Sequence, residues 1–226
     1  TSLDYDKQKA AEKIITEKPT YNSKLINSDS QIQEDLLIDA ILNVEKGFYI
    51  DIGANDPQHL SNTKRFYDKG WNGINIDPNP KCYEKFIDTR PRDINLNLGI
   101  SNISEELQFY ELTYPPLSSF SKEMAIINAK NFGIKIEKEY QVKVICLKDI
   151  YQDYVDNKTV DFISIDTEGH EMEVLEGNDW DLYRPKLLII ETGRIHSEIY
   201  DYVISKNYSP VIHNNLNGIF INNEIL

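Results

Sequence analysis

Apolar and polar positions change period several times along this chain, and each change marks an element. Phe48-Tyr49-Ile50-Asp51-Ile52 is an apolar, β-prone run interrupted by one acid, and Gly53-Ala54-Asn55-Asp56 after it is a small-residue turn. With a helical stretch from Ser61, the order reads as buried parallel strand, tight turn and helix. Upstream, Ile32, Leu36, Leu37, Ala40 and Ile41 form one stripe of a helix over 30–42, with Ser30 and Gln33 in a capping-box pattern. Downstream, the pattern predicts a helix from Ser61 to Gly70, a second strand over 73–77, a helix near 81–88 and a third strand over 94–101. Residues 107–147 break the alternation. Short strands over 107–112 and 142–147 flank a Pro-Pro loop at 114–120 and a helix near 122–131. An insertion of that length is usually functional, and it is the candidate acceptor-binding lid.

Strand four is expected over 161–166, and a helix from Met172 stops at Gly177. Strand five, Pro185 to Glu191, is a continuous apolar run of the kind covered on both faces. A helix over 195–206 turns Ile195, Ile199, Tyr202 and Val203 inward, and the strands 209–213 and 218–222 form a hairpin that makes the last strand antiparallel. The fold class is therefore α/β, with residues 30–226 as the domain and 1–29 as a helical or loose N-terminal extension.

Composition narrows the function. Twenty-four Lys and Arg against 37 Asp and Glu give a net charge of −13. That speaks against nucleic acid or an anionic membrane as partner, since both need a basic face. No apolar run approaches the roughly 20 residues of a membrane span, and Thr1 to Lys7 lack a signal-peptide pattern. Cys82 and Cys146 have no metal-like spacing and read as reduced thiols, so the expected location is cytoplasmic.

The turn at Gly53 lacks the three glycines that seat a pyrophosphate on a helix N-terminus. Asp51 and Asp56 would also repel phosphate. A phosphate-free cofactor with positive charge fits better, and S-adenosylmethionine (SAM) carries a sulfonium, an ammonium and a ribose diol. Asp77 ends the second strand, 24 residues after Gly53. An acid about 20 residues beyond such a turn commonly accepts from ribose hydroxyls; a turn-forming Asp before Pro78 is the plainer reading.

The runs Ser30-Gln31-x-x-Glu34-Asp35-Leu36, Asp51-x-Gly53-Ala54-Asn55-Asp56-Pro57, Ser61-Asn62-Thr63, Gly70-Trp71, Asp77-Pro78-Asn79-Pro80, Ile165 to Glu171 and Val174 to Gly177 occur in one order. Together with Pro185 to Glu191 they resemble the FkbM-type methyltransferases. The resemblance implies a class I, Rossmann-like sheet of about seven strands with a reversed final strand. It also implies SAM-dependent O-methyl transfer to a hydroxyl of a sugar, glycan or related small molecule. Under it, Asp51, Gly53, Ala54 and Asn55 hold the methionine end of SAM, with Gln31, Ser61 and Asn62 closing over it. Asp77 and Pro78 meet the ribose, and Ile100 or Ser101 lines the adenine. Asp166 faces the sulfonium or caps its turn.

Glu168 and His170 leave the same strand end and are the candidate general bases. His170 is favoured because a neutral His is poised near physiological pH, whereas Glu168 needs its pKa raised. Asp166, Glu168 and Glu191 could together hold Mg²⁺, but the spacing does not demand an ion and no metal is expected. Tyr110, Tyr114 and Phe120 in the insertion could stack on a sugar face, although packing is the commoner role. Two alternatives stay open: an NAD-type oxidoreductase, disfavoured by the missing glycines, and a non-catalytic accessory protein in glycan assembly.

Overall fold

Side chains alternate across a strand, and β1 (Phe48–Ile52) shows what that does here. Phe48, Ile50 and Ile52 enter one core while Tyr49 enters another on the opposite face of the sheet. The computed structural model describes residues 28–156, 158–192, 197–214 and 216–225. Most of the expected N-terminal extension, and Ile195, lie outside the described residues. Helix α1 (Glu34–Leu42) and the short α2 (Lys64–Asp68) put Ile38 and Phe66 against Tyr49, Trp71 and Phe162. Strand β2 (Asn72–Ile76) and helix α3 (Pro80–Thr89) follow.

Residues 94–101, expected as one strand, are two: β3 (Ile94–Leu96) and β4 (Gly99–Ser101), in different sheets. Gly99 packs so tightly on the Phe120 ring that a Cβ there would collide with it, and the chain breaks away at this point. The insertion comprises β5 (Glu106–Leu112), a 3-10 turn at Pro115–Leu117, α4 (Lys122–Phe132) and β6 (Ile136–Cys146), which starts six residues before the expected strand. Strand β6 pairs antiparallel with β5 and parallel with β4. Tyr110, Leu112, Leu117 and Ala125 give the insertion a small core of its own.

Helix α5 (Leu147–Tyr154) was not anticipated; Leu147, Ile150 and Tyr151 bury its apolar stripe. Strand β7 (Phe162–Ile165), helix α6 (Glu171–Glu176), strand β8 (Leu187–Glu191), helix α7 (Glu198–Ser205), and strands β9 (Tyr208–His213) and β10 (Asn217–Asn222) complete the chain. The main sheet runs β3-β2-β1-β7-β8-β10-β9. The first five strands in that order are parallel, and the last strand, β10, lies antiparallel between β8 and β9. Strand order reverses between β1 and β7, so a crevice opens beyond their carboxyl ends. Among the described residues no helix is long and apolar enough to cross a membrane.

The first helix also starts later than the capping box suggested. Gln33 precedes it in a left-handed conformation without capping. Asp35 draws the Ser28 and Ser30 hydroxyls and the Asp29 and Leu36 amides to its carboxylate instead. Glu34 accepts from the Ile32 amide and from the Asn214 and Asn217 side chains, which ties the segment around Gln31 to the end of the sheet.

Candidate active site

The turn after β1 is held by its neighbours on both sides. The amides of Gly53 and Ala54 donate to the Ile76 carbonyl, at 3.0 and 3.1 Å. Gly53 has φ +77° and lies flat against the Asp166 carbonyl, leaving no room for a Cβ. Asn55 is also left-handed, with φ 51°, and its amide donates to Asp77 Oδ2 at 2.8 Å. The Asn79 amide takes Asp77 Oδ1 at 2.8 Å. Burial pushes the Asp77 carboxyl up to about 6, against those two amides.

Two chambers meet at this turn. The narrower is lined by Gly53, Asp77, Leu98, Ile100, Phe109 and Phe120, with Pro78 and Asn79 among its other wall residues. The wider is an open crevice of about 1430 Å³, reached by Gln31, Asp51, Ala54, Ser61 and Asn62. Gly53, Asn55, Pro116, Asp166 and Glu168 line both.

Acids dominate the junction. One carboxylate oxygen each of Asp166, Glu168 and Glu191 lies within 4.8 Å of the others. Asp166 is open to solvent in the crevice, and the protein crowded around it and the Glu171 charge push its carboxyl up. Burial, then the Asp166 charge, pushes Glu168 up to about 8. The Glu191 carboxyl is raised well above its ordinary value by burial and by the same neighbours. The three therefore share protons at neutral pH. Glu171 does something different: its carboxylate accepts from the Thr167 and Gly169 amides and the Thr167 hydroxyl, and so shapes the turn.

Of the residues expected at the site, the structure brings Gln31, Asp51, Gly53, Ala54, Asn55, Ser61, Asn62, Asp77, Pro78, Ile100, Asp166 and Glu168 to the two chambers. It does not bring Ser101 or His170 there. His170 is 8 % exposed; its Nε2 lies 3.1 Å from Ser101 Oγ and its ring packs on Phe120. Burial lowers its pKa, with Glu173 and Glu171 opposing. The turn explains the split, because Glu168 and Gly169 both have positive φ, 54° and 92°. The chain reverses there, and side chains two residues apart leave on different sides. Several expected residues also serve the scaffold. Asp51 Oδ2 accepts from the Thr63 hydroxyl at 2.6 Å, Ser61 Oγ accepts from Arg90 at 3.0 Å, and Asn62 donates to Ser164 Oγ at 3.0 Å. Tyr110 sits in the insertion core, while Phe120 joins the narrow chamber.

Three contributors were not foreseen. Arg90 is fully buried; it donates to the Thr63 and Ser61 hydroxyls and the Pro57 carbonyl, and so fastens the loop after the glycine turn. Nothing in the sequence distinguishes it from a surface helix-end arginine. Asn79 caps α3 through Oδ1, which accepts from the Lys81 amide. Its Nδ2, in a side chain 2 % exposed, has no hydrogen-bond partner among the described residues. The Asp-Pro-Asn-Pro run already contained this signal. Asn128, from α4, donates to Glu168 Oε2 at 2.9 Å.

These features fit SAM. The glycine turn permits close approach of a ligand to the main chain, acids suit its two cationic groups, Asp77 retains acceptor capacity for ribose hydroxyls, and Asn79 Nδ2 is a donor without a partner.

Comparison with known proteins agrees with that chemistry. No curated protein matches the chain. Among solved structures it is similar to methyltransferase FkbM from Methylobacillus flagellatus KT, at 14 % identity and TM-score 0.49, covering 78 % of this chain and 44 % of that one. The chain thus spans less than half the length of that protein. A methyltransferase from Geobacter sulfurreducens is similar at 10 % identity and TM-score 0.43, covering 98 % and 90 % of the two chains. The precorrin-6y C5,15-methyltransferase of Geobacter metallireducens GS-15 is similar at 12 % identity and TM-score 0.41, covering 91 % of each chain. The family described as the methyltransferase FkbM domain matches residues 51–210, from the acid of β1 through the start of the final hairpin. On that match the chain belongs to the FkbM methyltransferase family.

Proposed function

We propose that this enzyme is an O-methyltransferase whose acceptor is a hydroxyl of a sugar, glycan or related small molecule, and that Glu168 is its general base. One observation carries the reading: Glu168 lines both chambers, at the point where a cofactor in the narrow one and an acceptor in the wide one would meet. Its raised pKa suits a base that must take a proton near neutrality. His170, hydrogen-bonded to Ser101 behind the crevice wall, is a support for the turn in this reading.

Bound SAM supplies an electrophilic methyl group. The protein's part is to hold, orient and exclude water. Asp77 and Asn79 would hold the nucleoside and Asp51 to Asn55 would flank the amino-acid end, while Pro116 and Phe120 of the insertion line the narrow chamber. Fixing two reactants in line contributes about 7–11 kcal/mol, whereas a positioned base adds about 10²–10⁴-fold, so orientation outweighs proton removal. Glu168 receives the hydroxyl proton on a carboxylate oxygen. The family assignment leaves the oxidoreductase alternative without support.

The test is a transfer assay with SAM against a panel of sugars and nucleotide-sugars, read by mass spectrometry. Addition of a single methyl to a hydroxyl-bearing acceptor is the expected result. Transfer to nitrogen or carbon acceptors instead would overturn the O-methyl reading, and SAM binding without any transfer would favour an accessory role.

A further inference from the structure

The geometry points to Asn128 of the insertion as a positioning residue that fixes the Glu168 carboxylate at the junction of the two chambers. The inference rests on the reading of Glu168 as the base. Asn128 is 5 % exposed, and its Nδ2 spends both hydrogens: one goes to the Leu117 carbonyl at 3.2 Å and the other to Glu168 Oε2 at 2.9 Å. The Leu117 bond settles the amide's orientation without reference to Glu168. A flipped amide would set its oxygen against a carbonyl oxygen and a carboxylate at once. Asn128 is therefore a committed donor toward Glu168.

A second link separates place from direction. Ser119 Oγ donates to the Glu168 main-chain carbonyl at 2.7 Å. Met124 packs on Gly169 so closely that a Cβ there would collide with it. These two contacts locate the turn, whereas Asn128 alone of the three reaches the carboxylate. The insertion thus grips one residue by its backbone and its side chain.

The charged and titratable groups around Glu168 all work against its ionised form or stand aside. Asp166 and Glu171 lie on its own turn, Glu191 ends β8, and Asp51 lies on β1; His170, buried and pointing to Ser101, adds no charge when neutral. Helix α4 presents Asn128, Met124 and Phe132 to the crevice, none of them charged. A hydrogen bond donated to a carboxylate favours the charged state, and Asn128 offsets part of the repulsion from the other acids.

The test follows the Glu168 carboxyl directly and needs no acceptor. Protein labelled with ¹³C at the glutamate carboxyl is titrated in the presence of S-adenosylhomocysteine (SAH), with Glu168→Gln assigning the signal. In Asn128→Ala the Glu168 midpoint should rise by about one pH unit. It should rise further in the near-isosteric Asn128→Asp, which keeps the test available if the alanine variant does not fold. SAH affinity should stay as in the wild type, a result a merely structural role would not produce together with the shifted midpoint. An unmoved Glu168 midpoint in a folded variant would overturn the inference. Wild-type protein that fails to bind SAH would contradict the functional reading instead, and Glu168 would still titrate.

Discussion

The Cα of Gly53 rests against the main-chain carbonyl of Asp166, so the turns after β1 and β7 touch with no side chain between them. This contact closes the floor of the crevice at the point where strand order reverses. It also sets φ of Gly53 at +77°, a conformation costly for any residue with a Cβ. Gly53→Ala should therefore combine backbone strain with overpacking, a loss of roughly 2–4 kcal/mol in urea unfolding, and SAH binding should vanish. A variant with wild-type stability and affinity would show that the turns can separate without consequence.

Glu168 and His170 make opposite predictions for the same assay. With the acceptor found by the panel, Glu168→Gln should lower the rate by about 10²–10⁴-fold. His170→Ala should leave the rate within about ten-fold of the wild type while lowering the melting temperature, because it empties a packed site between Ser101 and Phe120. The reverse ordering would return the base role to His170.

The acids of the junction also set how stability depends on pH. The crowded surroundings of Asp166 and the Glu171 charge raise its carboxyl to about 7 in the folded protein, above the ordinary value of ~3.9, although its exposure to the crevice screens part of that effect. Between those values the folded state binds more protons than the unfolded state, so stability falls as pH rises through that window. Asp166→Asn removes the group that must ionise under duress. Its melting temperature should exceed that of the wild type at pH 8, with the gain shrinking toward pH 4. Equal gains at both ends would mean that the Asp166 carboxyl titrates normally.

How much of this was legible in the sequence depended on how local the signal was. The five-strand parallel run, the reversed last strand and the helix stop at Gly177 follow from periodicity and turn residues close in the chain. Gly53 and Asp77 were legible for the same reason: a strand end followed by a special turn announces itself over a few residues. Helix α5 was missed although Leu147, Ile150, Tyr151 and Tyr154 carry the helical spacing, because the stretch abuts β6 with no turn between. The break of 94–101 into two strands depends on Phe120 pressing against Gly99, twenty-one residues away, and no local pattern carries that. Which of Glu168 and His170 faces the crevice was ambiguous for a conformational reason. Two positive φ values at 168 and 169 send Glu168 into the crevice and His170 behind it. Arg90 and Asn128 act through partners 27 to 40 residues distant, so their importance became visible only once the chain was folded.

On the proposed reading, a phosphate-free, cationic nucleoside occupies the chamber between Gly53 and Asp77. Calorimetric titration of SAH into the wild type and Asp77→Ala, at pH 8 and pH 5, addresses it most directly. Asp77, at about 6 in the free protein, must be ionised to accept from ribose hydroxyls as a carboxylate. Tight binding is expected at pH 8, with weaker binding at pH 5 and a loss of about 1.5–3 kcal/mol in the variant at pH 8. Wild-type protein that binds no SAH, or Asp77→Ala that binds it equally well at both pH values, would contradict it.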